Sequence, residues 1–349
     1  MWTDTELEQA LADQPEGPAF SPTARARALD RIRDEEKGAQ EGAQNVVPLH
    51  PRRRRAWWWT AAAAAVLVAG VTVGLAGGRT PAASAAAVVQ LDRASAATTG
   101  APTAEGQYFY TETREWALGA AQTRTGKNLA QLQETVRQTW VPHERSREWV
   151  RVTTVTGRTK WLVGDDDLVR REGDGGLLTA PGRTREAGPC GDYPGGNDQR
   201  LPCDQRAGDW YEPAPPFLAG LPHDPDQLYQ RLRDDNIGEP ADILPMAAGV
   251  LTADVPASTR ASLFRALTRV PGLDVTSDVV NLDGRRGVGL GVTRGGTRLE
   301  LVIDPAGGRL IGQRLVLTEP GTGMWAGLPA GTVAEYSAVT TSVVRRPAA

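Results

Sequence analysis

The stretch RGVGLGVTRGGTRLELVIDPAGGRLIGQRLVL, Arg286 to Leu317, decides the fold class. Val288, Leu290 and Val292 alternate with Gly289 and Gly291, the period of a strand with one buried face. Gly295-Gly296 makes a tight hairpin turn. Leu299, Leu301 and Ile303 alternate on the next strand, and Asp304-Pro305-Ala306-Gly307-Gly308 turns again into Arg309 to Leu317. Val333 to Val344 reads as a last strand, rich in β-branched residues. The glycines at 287, 289 and 291 lie in an alternating strand and not before a helix. They therefore predict one strand face packed closely against a helix or backbone rather than a phosphate loop.

Upstream the period changes to three and four. Ser258 to Val270 carries Leu263, Phe264, Leu267 and Val270, and Ala241 to Leu251 continues the helical pattern. His223-Asp224-Pro225-Asp226 opens another helix through Asp234, with Leu228, Tyr229 and Leu232 facing the core. Trp210 to Leu221 is proline-rich and reads as extended. Further upstream, strands are expected at Tyr108 to Trp116, Glu134 to Val141, Arg147 to Thr156 and Lys160 to Val163. Gly164 to Gly208 is dominated by Gly, Asp, Pro and Arg and reads as a long surface excursion. Strands, a helical block and then a meander predict an α+β domain over residues 105–349.

Preceding this domain, Ala82 to Ala97 reads as a helix with Val88, Val89 and Leu91 as its apolar residues, within a juxtamembrane segment at 79–104. Before it, Arg52, Arg53, Arg54 and Arg55 are followed by Trp57, Trp58 and Trp59, and no charge appears from Ala56 to Gly78. As a helix that run is roughly 34 Å long, enough to cross a hydrocarbon core. The arginines place its start inside and the tryptophans fit the headgroup belt. The expectation is a single membrane span at 56–78, retained rather than cleaved. Residues 1–55 are then cytoplasmic, and the remainder is outside, in the cell envelope. Ser21-Pro22 caps a short helix at Thr23 to Lys37, followed by a linker. That segment reads as a tether, or as a docking helix for a cytoplasmic protein.

Composition narrows the function. The chain carries 39 Lys and Arg against 42 Asp and Glu over 349 residues, a net charge of −3. Nothing in that balance suits a nucleic-acid partner. Cys190 and Cys203, the two cysteines, lie outside and read as a disulfide that would stabilise the fold by roughly 3 kcal/mol in the chain-entropy model. His143 and His223 lack metal-ligand spacing. Asp165-Asp166-Asp167 lacks the glycine and terminal glutamate of a calcium loop and reads as a solvated turn. No nucleophile elbow, zinc-protease or phosphate-loop motif is present. No catalytic residue, cofactor or metal is therefore assigned. Trp116, Trp140, Trp149 and Trp161 fall on strands, where they either fill the core or line an apolar groove.

The order of segments resembles a group of actinobacterial single-pass membrane proteins of unassigned function. Gln107-Tyr108-Phe109-Tyr110, Leu221 to Tyr229, Leu282 to Val288 and Ile303-Asp304-Pro305 carry the resemblance, together with the anchor. It implies an outside domain similar to lipoprotein-carrier and sigma-regulator-binding folds, with a curved antiparallel sheet around helices. The expected function is non-enzymatic binding or sensing outside, with an apolar ligand or an envelope protein as partner. The alternatives are a regulator that holds a cytoplasmic sigma factor through residues 1–38, and an envelope hydrolase without a familiar motif.

Overall fold

The computed structural model describes residues 81–345, except 101–102, 174–175, 178, 194–201, 237 and 239. They belong to the second of two compact units of the chain, Ala76–Ala349. Among them no helix is long and apolar enough to cross a membrane. The predicted span at 56–78, its flank Arg52 to Trp59 and the helix at 23–37 lie outside the described residues.

Nine strands form one antiparallel sheet: β1 (Tyr108–Gln122), β2 (Asn128–Pro142), β3 (Glu148–Val163), β4 (Gly182–Pro189), β5 (Asp274–Val280), β6 (Arg286–Arg294), β7 (Thr297–Asp304), β8 (Arg309–Leu317) and β9 (Val333–Val344). Their spatial order is β4-β3-β2-β1-β9-β8-β7-β6-β5. Two meanders therefore fan out in opposite directions, and β9 joins them by pairing with both β1 and β8. Among the described residues six α-helices accompany the sheet: α1 (Ala85–Ala97), α2 (Asp166–Glu172), α3 (Pro215–Ala219), α4 (Pro225–Asp235), α5 (Ile243–Leu251) and α6 (Ala257–Leu267). The α+β class expected from the sequence is the class observed.

The hairpin at Gly295-Gly296 forms as its residues require: both have positive φ, +51° and +76°, the conformation of a two-residue primed turn. Asp224 caps α4 by accepting from the N–H groups of Asp226 and Gln227, with Pro225 at the first helical position. Leu228, Tyr229 and Leu232 are buried there as expected.

Four features differ from the sequence reading. Arg147 to Thr156 and Lys160 to Val163 are one strand, β3, interrupted by a bulge: Gln133 pairs with Thr159 but Thr135 pairs with Val155. Gly157, at φ +78°, supplies the extra turn of backbone. β4 lies inside the expected surface excursion; its Gly- and Arg-rich sequence has low strand propensity, and it forms as an edge strand. Pro215–Ala219 is a short helix rather than extended chain, started by its proline pair. Finally, α1 belongs to the main core through Ala87, Leu91 and Ala94, while Val89 is exposed. Residue 105 is thus not a packing boundary. Small residues let α1 lie close to its neighbours: Ser95 Oγ donates to the Ala261 carbonyl at 3.0 Å.

The glycine strand packs against backbone, as expected, and also against a side chain the sequence reading did not name. Gly291 pairs with Glu300 across the ladder, and a Cβ at 291 would stand 2.6 Å from Glu300 Cγ. Glu300 is fully buried, on the face away from the helices, and is held by Arg298, Arg314 and Thr276. The glycines make room for that carboxylate and for the β7 backbone.

The main core lies between α1, α4, α5, α6 and one half of the sheet, represented by Leu290, Val292, Leu301, Ile303 and Leu310. The other half, β1 to β3, receives no comparable helical cover. That asymmetry positions the site.

Candidate functional site

On β1 the odd-numbered residues face the helical block. Thr111 Oγ1 donates to the carbonyl of Thr252 at the end of α5, 3.1 Å away. The ladder puts Val141, Thr139 and Arg137 opposite Phe109, Thr111 and Thr113, and Arg151 opposite Thr139. These side chains floor a chamber of about 200 Å³. Its roof is Leu218, Gly249, Thr252 and Ala253, and one wall is the segment Cys190-Gly191 with Tyr193 and Tyr211 to Ala214.

The disulfide builds that wall. Cys190 and Cys203 are bonded, with Cα atoms 5.7 Å apart. Cys190 is buried, and its N–H donates to the Arg147 carbonyl at 3.0 Å. Gly191 packs against the Trp149 ring, where a Cβ would stand only 2.8 Å from it, and Trp149 Nε1 donates to the Arg145 carbonyl at 2.9 Å. Arg151 holds Glu186 at 2.9 Å and Glu212 at 3.2 Å, with Tyr193 stacked 4.0 Å from its guanidinium carbon. Burial alone would lower the pKa of Arg151; the bond to Glu186 and the surrounding charges outweigh it and hold the group above its ordinary value. Burial pushes the Tyr193 phenol up to about 12.

A second chamber, of about 720 Å³, adjoins the first. The two share Phe109, Arg145 and Asp254. Arg145 Nη2 is 3.3 Å from Asp254 Oδ2 and also donates to the Asp254 carbonyl, so this pair forms part of the partition. Thr103 Oγ1 donates to the same carboxylate at 3.3 Å. Beyond it the lining includes His143, Arg260, Arg309 and Thr341.

The four strand tryptophans do not gather around one groove. Trp149 borders the first chamber. Trp140 is buried on the opposite face of the sheet against Val150 and Val152, its ring 5.0 Å from Tyr110. Trp116 lies under Arg158, on that same face. Trp161 donates to Asp166 at 2.7 Å. The alternation of β1 and β2 separates them: Trp116 and Trp140 are in register with the even residues, which point away from the helices.

His143 borders the second chamber and His223 does not. Among the described residues no group of three or more His, Cys, Asp or Glu is placed to hold a metal. Asp165 caps α2 by accepting from Leu168 N–H at 2.7 Å, with Asp166 and Asp167 in its first turn. The aspartate run is thus a helix start that favours the helix dipole.

Phe109, Arg145, Asp254, Arg260 and Arg309 border these chambers, and the sequence marks none of them as a site residue. One signal was available: Ala257 to Leu267 holds Arg260 and Arg265 and no acidic residue, so neither arginine has a partner within its own helix. Compared with protein families, with curated proteins and with solved structures, the chain finds no match.

Proposed function

We propose that this protein is a single-pass envelope protein, cytoplasmic at its N-terminus, whose outside domain binds or senses a ligand without catalysis. The observation that carries the reading is the pair of adjoining chambers between the sheet and the helical block, the first over β1 to β3 and the second between the start of α6 and the β8–β9 side of the sheet. The first chamber mixes apolar groups (Phe109, Val141, Trp149, Leu218) with a few oriented polar ones (Thr111, Thr139, Arg151), the usual lining of a small-molecule site. The uncharged run at 56–78 supports the anchored arrangement.

The test uses the full chain, purified from membranes in a neutral detergent. Native mass spectrometry should find a retained small molecule that wild type carries and Thr139→Trp, which fills the first chamber, does not. Equal retention by both proteins, or none by wild type together with no thermal shift from any amphiphile, overturns the reading. Orientation is tested separately on intact cells. A cysteine at residue 20 that reacts with an impermeant reagent would reverse it.

A further inference from the structure

The second chamber has a charge imbalance that the fold itself does not resolve. Arg145, Arg260 and Arg309 border it, against a single carboxylate, Asp254. Asp254 is already engaged by Arg145 and Thr103. Arg260 is partly buried, and its hydrogen bond runs to a neutral acceptor, the Thr99 carbonyl, at 3.4 Å. Holding a guanidinium out of water without a counter-charge is unfavourable. Burial lowers the pKa of Arg260, Asp254 works against that, and Arg309 adds to the lowering. The first turn of α6, at Pro256 and Ala257, borders the same space and adds to its positive field.

Arginine presents planar, forked donors that match tetrahedral oxyanions two bonds at a time. Thr341, opposite Thr111 on the chamber face of the sheet, supplies a further hydroxyl on the β9 side. Phe109, Leu251, Leu310 and Val343 line the remaining wall, so the anion has an apolar surface beside it. We propose that the second chamber binds a phosphate group through Arg260 and Arg309. This rests on the binding reading above and names the chemistry of its ligand. A phosphate in that position completes the counter-charge that Asp254 supplies only in part. Two sources share the chemistry, a phospholipid headgroup and free phosphate.

The experiment uses the full chain in a neutral maltoside micelle. Inorganic phosphate is titrated in one arm. Mixed micelles carrying short-chain phosphatidic acid, or phosphatidylcholine as the zwitterionic comparison, are titrated in the other. Binding is read by calorimetry and by thermal shift, at two salt concentrations. Binding in either arm should weaken roughly tenfold or more in Arg309→Glu, with a smaller loss in Arg309→Gln, and should fall with salt. Arg309 is exposed at the start of β8, so these variants should melt as wild type does. Arg171→Gln, on the exposed face of α2, should bind as wild type.

A response to free phosphate assigns a soluble ligand; a response to phosphatidic acid alone assigns a headgroup. No response in either arm, or equal affinity in wild type and Arg309→Glu, overturns the proposal. If a neutral amphiphile is nevertheless retained and Thr139→Trp expels it, only the anion assignment fails and the binding reading stands.

Discussion

Arg145 and Asp254 meet across the gap between the β2–β3 turn and the loop joining α5 to α6, and each faces two chambers at once. The pair ties the sheet to the helical block where no helix covers the strands. Each partner is partly exposed, so solvent weakens the attraction. Arg145→Ala and Asp254→Ala should each cost about 1 kcal/mol, including the bonds to the Asp254 carbonyl and Thr103. The double variant should cost less than the sum, with a coupling of about 0.5 kcal/mol or more in urea unfolding. Additive losses would show that the two residues act separately.

Glu134 should give the domain an acid-sensitive stability. It is buried on β2 and accepts from Arg158 Nε at 2.6 Å and from Thr156 at 2.8 Å. The bulge in β3 brings both donors to it. The bond from Arg158 lowers its pKa, burial opposes this, and Thr156 reinforces the lowering. A depressed carboxylate contributes stability fully above its unfolded pKa and loses it as pH falls through the folded value. Glu134→Gln should therefore destabilise by about 2 kcal/mol at neutral pH. The gap to wild type should close on acidification below about pH 4. A gap that stays constant down to pH 3 would contradict the ionic account.

Glu300 and Gly291 form a lock of carboxylate and space. Burial pushes the Glu300 pKa up, but bonds from Arg314, Thr276 and Arg298 outweigh it and keep the group ionised. Removing the charge leaves two arginines uncompensated, and Glu300→Gln should cost about 3 kcal/mol in denaturant unfolding. Gly291→Ala forces a Cβ against Glu300 Cγ and the Leu299 carbonyl and should cost about 1–3 kcal/mol. Gly295→Ala meets no neighbouring atom; its cost comes from backbone conformation alone. A melting temperature unchanged by Gly291→Ala would refute the close packing.

The disulfide should affect the first chamber as well as its own loop. Cys190→Ser with Cys203→Ser removes a crosslink between residues 13 apart, worth about 3 kcal/mol in the chain-entropy model. Because Gly191 lies on Trp149, the variant should also shift Trp149 fluorescence and increase cleavage between Gly188 and Arg206. A stability loss with unaltered fluorescence would confine the disulfide to its loop.

The helices and the C-terminal meander were legible because each carries its own local signal. Asp224-Pro225 caps a helix, Gly295-Gly296 turns a hairpin, and Leu263, Phe264 and Leu267 repeat on one face. β4 was not legible, since an edge strand of Gly, Arg and Thr lacks the apolar alternation that marks buried strands. The place of α1 was hidden because alanine and serine carry its contacts. The glycine strand was read correctly as a site of close approach, but its neighbour was invisible: Glu300 looks like an outward residue until Arg298 and Arg314 are placed beside it. The arginine-lined chamber is the least readable feature. Arg145, Arg260 and Arg309 come from a turn, a helix and a strand far apart in sequence, and no spacing connects them.

The position of β9 has a consequence for biogenesis. β1 is made early, yet its second edge pairs with a strand whose register runs from Tyr108–Val344 to Ala117–Glu335. Until Val333 to Val344 emerges, both meanders carry an unpaired edge of the kind that recruits other chains. Such distant pairing is slow to form. A nascent chain paused before Val333 would thus be the species most in need of a chaperone. Once β9 is inserted, a single event seals both half-sheets, and folding becomes a commitment that waits for the last strand of the sheet.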